Sequence, residues 1–143
     1  YIQEDNKMAV INEIICIEAD GSLSFGNYEV AEKQKAEGFK VGNDVYKVRT
    51  HKDVTRLSKN GSLVLETVPG ATVHSLKVGE RVTTFDIEGK GSTMITLELA
   101  GECTYSIYVD DVNLDKVITN MTGKISFSVD LDSSSKAVRI EKH

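Results

Sequence analysis

In the second half of the chain, apolar residues return at every second position. Tyr105, Ile107 and Val109 alternate with Thr104, Ser106, Tyr108 and Asp110, and Ile125, Phe127, Val129 and Leu131 alternate with Ser126, Ser128 and Asp130. Successive side chains of a β-strand point to opposite faces, so a period of two predicts antiparallel strands with one dry and one wet face. Strands are expected at residues 83–88, 94–99, 104–110, 116–120, 124–131 and 137–142, with Ile95, Leu97, Leu99, Val138 and Ile140 also turned inward. The earlier half is less regular, and residues 10–17, 22–30, 45–51, 54–57 and 63–68 read as its strands. Residues 31–37 have helical composition but too few apolar positions for a stripe, so an exposed strand or a single turn is expected there.

The turns support the same class. Asp20-Gly21-Ser22-Leu23, Asn60-Gly61-Ser62-Leu63 and Thr122-Gly123-Lys124-Ile125 repeat one phrase: a turn former, a glycine, then a polar residue leading into an apolar one. That is the wording of a hairpin turn feeding a half-buried strand. The fold class is therefore all-β and antiparallel. The sharper pattern after Gly79 predicts two small β modules, 8–78 and 79–143, behind a polar tail at 1–7. The six closely spaced strands of the second module predict an Ig-like or Greek-key sandwich.

Composition narrows the partners. A chain of 143 residues buries roughly 68–70% of its unfolded surface. Its net charge of −5 argues against nucleic acid and anionic membrane as partners. The most apolar stretch, residues 8–17, is broken by Asn12 and Glu13 and is too short to span a bilayer. Met8 reads as a natural start without a signal peptide, which places the chain in the cytoplasm. A processed end at Tyr1 would instead make it extracellular or surface-bound. Cys16 and Cys103 lack metal-ligand spacing, and Cys16 reads as a small hydrophobe within Ile14-Ile15-Cys16-Ile17.

The run from Tyr105 to Asp110, the run from Asn120 to Leu131 and the closing Val138-Arg139-Ile140 together resemble the small Ig-like modules that close many bacterial extracellular and carbohydrate-related proteins. From Met8 onward the chain is similar to short bacterial all-β proteins, some labelled endosialidase. The resemblance implies a fold; no catalytic residue of this chain is matched through it.

Candidate chemistry is sparse. A sialidase needs clustered arginines, and Arg49, Arg56, Arg81 and Arg139 fall on separate expected strands. His51, His74 and His143 are too dispersed to predict a zinc site or a triad. Gly89-Lys90-Gly91-Ser92 lacks the spacing and helix of a phosphate loop. Asp111-Val112-Asn113-Leu114-Asp115 offers oxygens at alternate positions, as a calcium loop does. Lys116 stands where that loop needs glycine, so a solvated hairpin tip is expected and no metal ligand is assigned. Tyr108, flanked by Ser106 and Thr104 on the polar face, is the one candidate ligand platform, because aromatic faces beside hydroxyls stack sugar rings. Tyr28 and Tyr46 are expected in other strands. The function expected is a non-catalytic module for protein contact, adhesion or assembly, homo-oligomeric through edge strands and without cofactor. Carbohydrate binding, with a glycan as partner, is the alternative.

Overall fold

The computed structural model describes residues 14–132 and 134–143. Within them thirteen strands and no helix form two antiparallel sheets, a β-sandwich. The seven-stranded sheet runs β1 (Ile15–Ile17), β2 (Leu23–Phe25), β7 (Ala71–Val78), β8 (Val82–Gly89), β13 (Lys136–Lys142), β10 (Thr104–Val109) and β11 (Val112–Ile118). The six-stranded sheet runs β12 (Lys124–Asp130), β9 (Ser92–Glu98), β6 (Ser62–Val68), β5 (Thr55–Lys59), β4 (Asp44–Thr50) and β3 (Gln34–Val41).

The alternation of apolar residues builds the core directly. Ile125, Phe127 and Val129 of β12 are buried while Lys124, Ser126, Ser128 and Asp130 are exposed. Phe25, Val73, Ile87, Ile107 and Ile140 from one sheet meet Val48, Leu57, Leu65, Ile95 and Leu97 from the other in one apolar cluster. At about 25 cal/mol per Å² of apolar surface removed from water, this contact is the main term holding the sheets together. The expected junction near Gly79 is the turn of the β7–β8 hairpin, where the Gly79 N–H donates to the Val82 carbonyl at 2.9 Å. Each sheet takes strands from both sides of that turn.

The turn phrase makes a hairpin at two of its three sites: Asp20-Gly21 and Asn60-Gly61 join paired strands, whereas Thr122-Gly123 joins β11 to β12, which lie in different sheets. Asn60 and Gly61 take φ of 51° and 87°, the paired left-handed residues that turn β5 into β6 without splaying the strands. The Asn60 side chain accepts from the Val45 N–H and donates to Asp44, both at 2.9 Å, which ties the turn to β4. Gly123 (φ 76°) closes the turn before β12, where a Cβ would lie 2.1 Å from the Leu99 carbonyl oxygen.

Three local expectations change. Of residues 111–115, expected as a loop, 112–115 supply most of β11 instead. The turn is Asp110-Asp111 alone, both left-handed at φ 50° and 65°, a conformation aspartate tolerates better than most residues. The carboxylates do not converge: Asp110 accepts from the Ala137 N–H at 2.8 Å, Asp111 meets Arg139 at 2.6 Å, and Asp115 accepts from the Lys116 N–H at 2.8 Å. Strand β7 has no counterpart in the pattern because Ser75, at φ 58°, inserts a bulge that puts buried Val73 and Leu76 three positions apart. At 31–37 the exposed-strand alternative holds, residues 34–37 opening the longer edge strand β3. Of the expected 22–30 strand only Leu23–Phe25 is a strand, and of 10–17 only Ile15–Ile17; residues 10–13 lie outside the described residues, as do 1–9.

Candidate functional site

The expected platform lies on β10, between β13 and β11. Tyr105 and Ile107 face the core, which turns Ser106 and Tyr108 to the outer face. Ser106 is only 4% exposed, and its hydroxyl is hydrogen-bonded to the ring of His143. Tyr108 stands opposite Arg139, whose guanidinium carbon sits 4.3 Å from the ring centre, a cation–π contact. Arg139 also bonds Asp111 and Glu141, each at 2.6 Å, and these carboxylates, Asp111 first, hold the guanidinium above its ordinary value. Thr104, Ser106 and Tyr108 thus follow one another along β10, but Ser106 is engaged by His143 and Tyr108 is faced by Arg139. Tyr28 and Tyr46 do not join it. Burial raises both phenols above their ordinary value, with Glu88 and then Glu29 adding to the effect at Tyr28, and Asp44 at Tyr46.

The histidines remain apart: His74 meets Glu88 at 3.1 Å, His51 is 3.8 Å from Asp53, and His143 sits on Ser106. Among the described residues no three His, Cys, Asp or Glu side chains are grouped as metal ligands, and no helix is long and apolar enough to cross a membrane.

Sheet edges differ sharply. β1 is three residues long, β3 carries a bulge between Ala36 and Phe39 and three lysine or glutamate side chains, and β12 presents lysine, serine and aspartate to water. These are the usual protections of an open edge. β11 is different. Its Val112 and Ile118 are 68% and 78% exposed, Leu114 is half exposed, and Met121, 83% exposed, follows in the next turn.

A second feature lies on the outer face of the six-stranded sheet. Val48, Leu57 and Leu65 point inward, so Lys47, Arg49, Arg56 and Glu66 point outward. Register sets Lys35 opposite Arg49, Arg49 opposite Arg56, and Arg56 opposite Glu66. Only the last pair is a salt bridge, at 3.0 Å; Lys35 turns to Glu37 at 2.7 Å. Lys35 foremost, then Lys47 and Arg49, hold the Glu37 carboxyl below the usual carboxylate range. Arg49 and Arg56 read as dispersed in the sequence; the turn joining β4 to β5 brings them side by side. Their equal distance from that turn, with Thr50 opposite Thr55, is the signal that could have revealed it. A concavity of about 460 Å³ opens here, edged by Lys33, Lys47, Arg49, His51, Arg56 and Glu66.

A third feature is a cleft of about 500 Å³ where the sheets part, floored by Leu23, Leu76, Val64 and Leu97. Asp20 and Lys77 pair across its rim at 3.1 Å, and Asp20 is held well below the ordinary carboxylate value, chiefly by hydrogen bonds from the Ser22 hydroxyl and N–H. No family model matches the chain, and no curated protein or solved structure matches it either.

Proposed function

We propose that this protein is a non-catalytic β-sandwich module that works by contact, joining a second copy of itself through the open edge strand β11. One observation carries the reading: of the four edges among the described residues, β11 sets the most apolar side chains in water beside unused backbone groups, Val112, Leu114 and Ile118, against Ile17 on the three-residue β1. An unpaired edge of this kind is a template for strand addition. Burying it removes apolar surface from water at the same time as it satisfies the backbone. The bulge at Leu114, where Ile107 faces Asp115 and Tyr108 faces Asn113, interrupts the ladder and favours a short defined contact over open-ended stacking. Sedimentation equilibrium over a wide concentration range tests it. Wild type is expected to self-associate and Ile118→Lys to remain monomeric. A wild-type chain that is monomeric at every concentration, or an Ile118→Lys variant that associates equally well, contradicts the reading.

A further inference from the structure

We infer that the outer face of the six-stranded sheet binds an acidic carbohydrate, a sugar chain carrying carboxylate or sulfate groups among its hydroxyls. The inference is independent of β11, which borders the other sheet.

The starting point is a cost. Like charges placed directly opposite on neighbouring strands destabilise a sheet, yet Lys35, Arg49 and Arg56 stand abreast across β3, β4 and β5. With strands about 4.8 Å apart the three form a short ladder of positive charge roughly 10 Å wide. Lys47 lies two residues from Arg49 on the same face, and Lys33 joins the concavity's edge. The local acids offset only part of this: Glu37 pairs with Lys35, Glu66 with Arg56, and Asp53 approaches His51. Lys33, Lys47 and Arg49 form no ion pair with any described residue. On a chain of net charge −5 this is a local reversal of sign, and a concave surface lined with one sign of charge focuses its field on an incoming anion.

The rest of the lining selects among anions. Glu66, Ser58 and His51 also line the concavity and supply hydrogen-bond acceptors as well as donors. Those groups suit alcohols, while a carboxylate in the site penalises a ligand that carries dense phosphate and nothing else. The concavity also has no Phe, Tyr or Trp in its lining. Single-stranded nucleic acid relies on such rings for base stacking. A ligand with spaced anionic groups and intervening hydroxyls satisfies both features, with Arg49 and Arg56 as forked donors to carboxylate or sulfate oxygens.

The test compares a neutral polysaccharide with two acidic ones. Binding of the full chain to dextran sulfate, polygalacturonate and unmodified dextran is measured by calorimetry at low and physiological salt, with single-stranded DNA and polyphosphate as further probes. Saturable binding to dextran sulfate, polygalacturonate or both, none to dextran, and weakening as salt rises is expected. The stronger of the first two identifies the anionic group. Arg49→Glu should lower affinity about tenfold or more, the loss of a charge-assisted hydrogen bond. Lys47→Ala should lower it less, with both variants matching the wild-type thermal unfolding curve. Because Arg49 is exposed, the Glu variant is expected to fold. If it does not, the milder Arg49→Gln takes its place, with the same direction of effect. Failure of the wild type to bind either acidic polysaccharide, equal affinity for DNA or polyphosphate, or indifference to both Arg49 substitutions overturns the inference.

Discussion

Replacing glycine by alanine in two copies of the same turn phrase should give very different losses of stability. Gly61 and Gly123 both follow a turn former, precede a polar residue and take positive φ, 87° and 76°. A left-handed alanine costs about 1–2 kcal/mol, partly offset by about 0.4–1 kcal/mol because alanine restricts the unfolded chain. At Gly61 a Cβ meets nothing within 4 Å, so Gly61→Ala should cost about 1 kcal/mol. At Gly123 the same atom would lie 2.1 Å from the Leu99 oxygen, 2.8 Å from the Leu99 carbonyl carbon and 3.0 Å from that of Ala100. All three are backbone atoms, and the Leu99 N–H donates to the Gly123 carbonyl at 2.8 Å, so neither segment can yield without opening the end of the β9–β12 pair. Overpacking of this kind adds about 1–3 kcal/mol, which brings Gly123→Ala to about 2–4 kcal/mol, a large share of the roughly 5–15 kcal/mol that holds a domain. The chain has no tryptophan, so urea unfolding is best followed by circular dichroism. With a slope of about 1–3 kcal/mol per molar, the Gly123 variant should unfold at a midpoint lower by about 1 M or more, and the Gly61 variant by much less. Equal midpoints would refute the placement of Gly123 against Leu99.

Two further outcomes follow from the same geometry. The hydroxyl of Thr67 is buried without a partner, whereas that of Thr55 bonds Thr50 at 2.8 Å, the Ala71 carbonyl at 2.9 Å and the Ala71 N–H at 3.1 Å. Thr67→Val should therefore raise stability by about 1 kcal/mol, and Thr55→Val should lower it by about 2 kcal/mol, in chemical denaturation; a loss at Thr67 would mean that its hydroxyl is satisfied. Asp20 is depressed in the folded state, so it stabilises above the unfolded carboxylate value, about pH 4, and that contribution fades as pH falls through the lower folded value. Asp20→Asn keeps an oxygen to accept from Ser22 and removes the charge facing Lys77. Wild type should thus be the more stable at pH 7, with the gap closing in strong acid; a gap independent of pH would show that the charge is idle.

How much of this could be read from the sequence depends on how strictly each strand keeps its period. β12 is legible because one face is dry and the other wet, and β10 because its residue types alternate although Ser106 is buried, so Phe127 and Ile107 declare the register alone. β7 was hidden by the left-handed Ser75, which breaks the alternation at the point where it would be counted. β3 and β11 are edges: much of their side-chain surface meets water on both faces, and the apolar signal fades although the backbone still pairs as a strand. The site was harder still. Arg49 and Arg56 are seven positions apart in sequence, and only the register of the hairpin between them makes them neighbours. Ser106 was placed on the correct face, but contact with His143, from the far end of the chain, is invisible to any local pattern.

Amide hydrogen exchange on the intact chain, recorded from dilute to concentrated solution, probes the open edge strand itself. The outward N–H groups of β11, from Val112 to Ile118, should slow markedly as concentration rises, while those of the charged edge β12 exchange at a constant rate. Exchange in β11 that ignores concentration, or protection that gathers on β12 or β3 instead, would contradict the assignment of β11 as the contact surface.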